Sequence, residues 1–218
     1  MNPRLLELGD SALTLEFGAT IDPALNAQVM AARDALATFH LEGIGDIVPT
    51  YRSLTVHFDP LTIERATLVK HMLAAAEAVP EKSALAGRRE LPVRFGGAAG
   101  PDLESVAAAT GRSAGEIIAT LCALELRVYM IGFLPGFPYL GDLPEWLRLP
   151  RLATPRTAVP AGSVAIAGQQ AAVYPWQSPG GWHLLGHTET MMFDATNPTR
   201  PALLAPGDIV RFVALDHA

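Results

Sequence analysis

The chain is 218 residues long, 50% hydrophobic, 17% charged and 7% aromatic, enough apolar material for a substantial core, which excludes a disordered chain. Its 16 Lys and Arg against 22 Asp and Glu leave a formal net charge of −6, which argues against a protein that grips nucleic acid through many phosphate contacts. This length corresponds to one large or two small domains, and the patterning favours two.

Leu13, Leu15 and Phe17 alternate with Thr14 and Glu16, the period-two pattern of a half-buried strand over residues 11–17. Asp22 and Pro23 pair a helix cap with a first-turn proline. Leu25, Val29, Leu36 and Phe39 then recur at helical spacing, predicting a helix to about His40. Gly43 and Gly45 end it, and residues 47–51 and 54–58 read as two strands joined by a short turn. From Leu61 a second amphipathic helix carries Leu68, Met72, Ala75 and Val79 on one face and closes at Pro80. The order is then β-α-β-β-α, and a last strand at residues 91–95 or nearby completes a ferredoxin-like sandwich.

Residues 80–90 are polar and small enough to form a linker, giving an α+β domain over residues 1–85 and a second domain over 86–218. Beyond the linker Asp102 opens a short helix, and Ser113 with Glu116 forms a capping box ahead of Ile117, Ile118 and Leu121. Residues 132–206 then hold 11 of the 18 prolines and 8 of the 19 glycines. Short apolar segments at 164–167 and 172–174 lie among them, the composition of a compact β-barrel with elaborate loops.

Several chemistries lack their residues. The Gly96-Gly97-Ala98-Ala99-Gly100 turn has no Lys-Ser/Thr after it, as a phosphate-binding P-loop requires. Ser163 lacks the second glycine of a nucleophile elbow, and Cys122, the single cysteine, sits on the apolar side of a predicted helix and has no partner for a disulfide. His183 and His187 are four apart in a strand-and-turn context, roughly 13 Å along the chain, too far to share a tetrahedral metal ion. There is no apolar run of membrane-spanning length, and acids come too early in the first ten residues for a secretory signal. A cytoplasmic protein is expected.

Two stretches are more informative: Gly132-Phe133-Leu134-Pro135-Gly136-Phe137-Pro138-Tyr139-Leu140-Gly141 and Ser178-Pro179-Gly180-Gly181-Trp182-His183. Prolines stiffen such loops, and aromatic rings offer flat apolar walls with the Tyr hydroxyl as a polar handle. Between them lies Arg156, a forked donor suited to a carboxylate. Composition alone fits a rigid pocket for a small polar ligand, and equally a set of barrel corners with a surface arginine.

At these residues the chain resembles the allophanate hydrolase subunit 1 family, also described as the KipI family and as the B subunit of bacterial ATP-dependent 5-oxoprolinase. The segment from Arg127 to Gly141 looks like the family signature, followed by Thr154-Pro155-Arg156, the segment from Val159 to Gly168, Tyr174-Pro175 and Ser178-Pro179-Gly180-Gly181-Trp182. Gly9-Asp10-Ser11-Ala12-Leu13, the run from Val48 to Leu54 and Asp59-Pro60 extend the match through the first half.

The resemblance implies a small α+β domain followed by a cyclophilin-like β-barrel. It implies work with two partners, an allophanate hydrolase subunit 2 type protein and a LamB/YcsF type protein, opening 5-oxoproline to glutamate at the expense of ATP. ATP with Mg would be used by the complex, with no cofactor bound by this chain alone. Carried over by position, Phe137 and Tyr139 are wall and hydrogen-bond handle, Arg156 is the anion clamp, and Gln169, Tyr174, Trp182 and His183 complete the site. His183 reads either as an acid–base group or as a loop-fixing residue. Leu121, Leu126 and His187 depart from the His, Tyr and Arg commoner in relatives; the first two bear on a partner interface or active site, or merely on packing. The resemblance also admits a KipI-like inhibitor of sensor histidine kinase autophosphorylation, or a hydrolase component whose substrate is allophanate.

Overall fold

Cross-strand pairs of branched residues organise the first of two units, Met1–Leu85, in a computed structural model that describes residues 3–80 and 87–215. Strands β1 (Arg4–Glu7) and β2 (Ala12–Glu16) form a hairpin, followed by α1 (Pro23–Ala37), β3 (Ile44–Pro49), β4 (Ser53–Phe58) and α2 (Arg65–Ala76). The antiparallel sheet runs β1-β2-β4-β3. Leu13 stands opposite Val56 and Leu15 opposite Leu54, so their side chains share one face, where α1 adds Val29 and Leu36 and α2 adds Leu68 and Met72. On the other face the Thr14 and Thr55 hydroxyls bond at 2.8 Å. Asp22 caps α1 by accepting from the Ala24 and Leu25 amides.

Three details differ from the sequence reading. The fourth strand of this sheet is β1, not residues 91–95, because the turn at Gly9 folds the N-terminal segment back beside β2. Helix α2 begins at Arg65 because Asp59 bonds the Leu61 amide and the Thr62 hydroxyl, fixing a turn there. Leu61 and Val79, expected on its buried face, therefore lie outside the helix at 96% and 81% exposure. Helix α1 likewise ends before Phe39, which packs edge-on against His71 from the surface.

The second unit, Ala86–Ala218, opens with β5 (Arg88–Phe95), so the expected linker stops short of Arg88; its residues 81–86 lie outside the described residues. Helices α3 (Leu103–Thr110) and α4 (Ala114–Ala123) follow, the latter carrying the expected Ser113–Glu116 capping box. The remaining strands are β6 (Leu126–Ile131), β7 (Pro138–Gly141), β8 (Arg156–Val159), β9 (Ser163–Ala167), β10 (Gln170–Val173), β11 (Ser178–Gly180), β12 (His183–His187) and β13 (Ile209–Ala214). Together with β5, six of them close a seven-stranded barrel in the order β10-β7-β6-β13-β5-β12-β9, while β8 and β11 form a separate two-stranded ribbon.

The barrel core collects Leu91, Val93, Val128, Ile166, Val173 and Phe212, and the α3 and α4 residues Val106, Ile117 and Leu121 pack onto it. Leu121 and Leu126, two of the departures from the family pattern, are both fully buried in this cluster; they are packing positions. Every residue of β9 is buried. Val164 and Ile166 join the barrel core, whereas Ala165 and Ala167 belong to a second cluster with Phe137, Val159, Ala172, Tyr174, Trp182 and Leu184. Because side chains alternate along a strand, this second cluster lies on the opposite face of the same wall, and the alanines leave room there for aromatic rings. Among the described residues no helix is long and apolar enough to cross a membrane.

Gly100 joins α3 to the barrel so closely that a Cβ would stand 1.9 Å from the Leu185 carbonyl oxygen, whereas a Cβ on Gly115 in α4 would meet nothing within 4 Å. Gly100→Ala is expected to lower stability by about 3 kcal/mol, and Gly115→Ala to leave it unchanged or raise it by about 0.5 kcal/mol. Urea unfolding of the two variants checks the contrast.

Candidate functional site

The second cluster is an aromatic assembly centred on Phe137. Its ring meets Tyr139 at 5.0 Å, Tyr174 at 5.1 Å and Trp182 at 5.9 Å between centroids, all edge-on. Tyr139 also meets Trp182 at 6.0 Å. Edge-to-face contacts of this kind fix ring orientation as well as burying area. Phe137, Tyr174 and Trp182 are buried and Tyr139 is half-buried at the margin. The structure thus brings together four of the residues the sequence singled out.

Trp182 is held from several sides. Its backbone amide donates to the Tyr174 phenol oxygen, and that phenol lies so near the chain that a Cβ on Gly180 would stand 2.3 Å from it; only glycine fits there. The Trp182 carbonyl accepts a long 3.5 Å bond from Arg156. On the two flanking residues, the Gly181 carbonyl accepts from the Leu152 amide at 2.7 Å and the His183 Nε2 bonds the Pro150 carbonyl at 2.9 Å. Residues 150–152 are therefore laid along residues 181–183, and the Arg151 guanidinium sits 5.9 Å from the centroid of the Trp182 ring, a cation–π contact.

Arg156, expected as a free anion clamp, is already engaged. It donates to Asp102 Oδ1 at 2.6 Å, with side-chain exposures of 29% and 12% for the pair. The second carboxylate oxygen accepts from the buried Leu184 amide at 2.7 Å, and the Asp102 amide returns a 3.0 Å bond to the Leu184 carbonyl. Asp102 precedes α3 as expected, yet its side chain makes no cap bond to that helix; the carboxylate is turned to β12 and Arg156 instead.

The His183 Nε2 bonds the Pro150 carbonyl, and its Nδ1 is buried without a hydrogen-bond partner. Gln169 is not brought into the aromatic cluster by any described contact; its amide donates to Glu145 at 2.8 Å. His187 bonds the Ala161 carbonyl at 2.9 Å, away from the partner of His183. Among the described residues no group of three metal-ligating side chains converges. In the glycine-rich turn the amides of Gly96, Gly100, Asp102 and Leu103 all donate to protein carbonyls, so those donors are spent on the fold and cannot cradle a phosphate.

Burial pushes the Tyr139 and Tyr174 phenols above their ordinary range, with the positive charge of Arg151 partly opposing the shift. Both are neutral hydroxyls at physiological pH. Arg151 is the residue beside the aromatic cluster that the sequence reading did not single out, because an arginine in a loop with no motif around it carries no signal until the fold sets it beside Trp182.

Residues 3–204 match the family described as carboxyltransferase domain, subdomain C and D. The chain is 39% identical to the 5-oxoprolinase B subunit of Escherichia coli O157:H7 over 94% of its length and 93% of that protein. It is also 39% identical to the 5-oxoprolinase B subunit of Bacillus subtilis over 97% of its length and 92% of that protein. Among solved structures it superposes on TTHA0988 with a TM-score of 0.83 at 37% identity, over 95% of this chain but only 40% of the longer one. The Kluyveromyces lactis urea carboxylase shares the fold at a TM-score of 0.80 and 21% identity, across 98% of this chain and 22% of that enzyme.

Removing Asp102 strands both the Arg156 charge and the buried Leu184 amide, so Asp102→Ala is expected to cost about 3 kcal/mol. A double-mutant cycle with Arg156→Ala should return about 1–2 kcal/mol of coupling; additive losses would show that the pair contributes nothing. The two raised phenols contribute stability that is complete below the unfolded-state value of about 10 and is lost as pH rises through the higher folded values. Tyr174→Phe should flatten the fall in thermal stability between neutral and strongly alkaline pH, read by calorimetry.

Proposed function

The chain belongs to the carboxyltransferase subdomain C and D family, and from its likeness to two 5-oxoprolinase B subunits along nearly their whole length we propose that it is the B subunit of a bacterial ATP-dependent 5-oxoprolinase. The alignment at 39% identity across 94% of this chain and 93% of the Escherichia coli protein carries the reading. A LamB/YcsF type protein and an allophanate hydrolase subunit 2 type protein complete the enzyme, in the cytoplasm where ATP is supplied. That the same fold forms 40% of TTHA0988 and 22% of a urea carboxylase supports a module that works beside other domains.

The substrate in this reading is a five-membered lactam bearing a carboxylate. Its ring amide is planar and resonance-stabilised, so water attacks it slowly without activation. In the complex ATP phosphorylates the lactam oxygen, water adds to the activated carbon, and the adduct expels the protonated ring nitrogen, breaking the C–N bond to give an acyl phosphate that a second water hydrolyses to glutamate and phosphate. In this reading the partner proteins hold the nucleotide phosphates.

This chain contributes a preorganised surface. The half-buried Tyr139 ring, held edge-on by the buried Phe137 and Trp182 behind it, suits contact with a flat ring, and fixed donors cost no reorganisation when the substrate binds. The Tyr139 hydroxyl, on the half-buried residue at the margin of the wall, serves as donor there. Arg156 acts with Asp102 as a brace on Trp182 and β12, and His183 holds the 150–152 loop.

Glutamate release from 5-oxoproline should be dependent on ATP and confined to the complete three-protein mixture. Release by this chain alone, or none from a mixture that demonstrably assembles, would contradict the proposal.

A further inference from the structure

The site holds two arginines with opposite fates. Arg156 is neutralised by a protein carboxylate at 2.6 Å. Arg151 is exposed, and among the described residues it makes no ion pair or hydrogen bond; its guanidinium lies over the face of Trp182. It is nonetheless not a loose surface side chain. The residue before it is tied to His183 through the Pro150 carbonyl and the residue after it to Gly181 through the Leu152 amide. Both anchors straddle Trp182, so the backbone presents Arg151 to that ring.

A guanidinium stacked on an aromatic face keeps its in-plane N–H donors free. Those donors form a fork matched to a carboxylate. The Tyr139 and Tyr174 phenols both lie within reach of the charge of Arg151, so the same cation overlooks the whole aromatic wall.

We propose that Arg151, set over Trp182 by the paired 150–152 and 181–183 segments, is the carboxylate receptor of this site and selects cyclic amides that bear a carboxylate next to the ring nitrogen. This rests on the functional reading above and assigns the anion-binding part to Arg151 in place of Arg156. His183 is then a positioning residue that acts through the Pro150 carbonyl to hold Arg151 in place.

The test uses the assembled complex with two substrates, 5-oxoproline and 2-pyrrolidinone, the same lactam without the carboxylate. Arg151→Ala should raise KM for 5-oxoproline at least tenfold with kcat changed less than threefold, and leave KM for 2-pyrrolidinone unaltered. Arg151→Lys should restore part of the preference. His183→Ala should raise KM for 5-oxoproline by a smaller factor in the same substrate-selective way, which a general loss of folding would not do. If Arg151→Ala shifts both substrates equally, or neither, while the wild-type complex turns over 5-oxoproline, the assignment of Arg151 is overturned and the functional reading stands. If the assembled wild-type complex does not hydrolyse 5-oxoproline, the functional reading falls and this inference falls with it. Arg151→Gln, which keeps a polar side chain of similar reach, replaces the alanine variant if that one fails to assemble, with the same criteria.

Discussion

One carboxylate joins the parts of the barrel from which the site is made. Asp102 ends the glycine-rich turn after β5, accepts from the Leu184 amide of β12 and from Arg156 of β8, and so fastens three separate stretches at one point. A buried acid in that place has to be partnered, because desolvating an unpaired carboxylate costs several kcal/mol. Here it is satisfied on both oxygens, one by a charged donor and one by a buried amide. The rest of the site inherits its order from this: Arg156, once fixed, reaches the Trp182 carbonyl, and Trp182 in turn carries Tyr174 on its amide and Arg151 on its ring.

The second constraint is steric. A strand buried on both faces needs two sets of partners, and β9 has them: branched Val164 and Ile166 fill the barrel, while Ala165 and Ala167 make a shallow floor for the rings of Phe137, Tyr174 and Trp182. Larger residues at the alanine positions would fill the volume that the aromatics occupy. The barrel is thus a packed core inside and a platform outside, with the β8–β11 ribbon flanking the platform and bringing Arg156 and Gly180 opposite each other. The first unit carries an apolar groove of about 880 Å³ lined by Phe17, Leu25, Leu73 and Val79 among others. It contains no cluster of polar groups comparable to that around Trp182, so volume alone does not make it the reacting centre.

Much of this was legible in the residues. Period-two and helical spacing placed β2, α1, β4, α3 and α4, since those elements have one buried face each and a clear cap at Asp22 or Ser113. The aromatic loops stood out because Phe137, Tyr139 and Trp182 lie among closely spaced prolines and glycines, a composition that fits a ligand pocket and barrel corners equally. What was not legible depends on long-range partners. Leu61 and Val79 fit a helical face by spacing, and only the turn at Asp59 and the end of α2 expose them. Arg156 had the chemistry of an anion clamp, but its acid lies 54 positions away in sequence. Arg151 had no motif at all; its meaning comes from the pairing of its loop with residues 181–183.

Where the lactam and its charge sit decides whether the aromatic wall is the substrate site. The most direct measurement is a crystal structure of the assembled complex with 5-oxoproline bound and ATP omitted. The expected result places the ring against Tyr139 and Trp182, the carboxylate forked on the Arg151 guanidinium, and Arg156 still paired with Asp102. A substrate bound away from the aromatic wall, or one whose carboxylate has drawn Arg156 off Asp102 while Arg151 stays uninvolved, would contradict it.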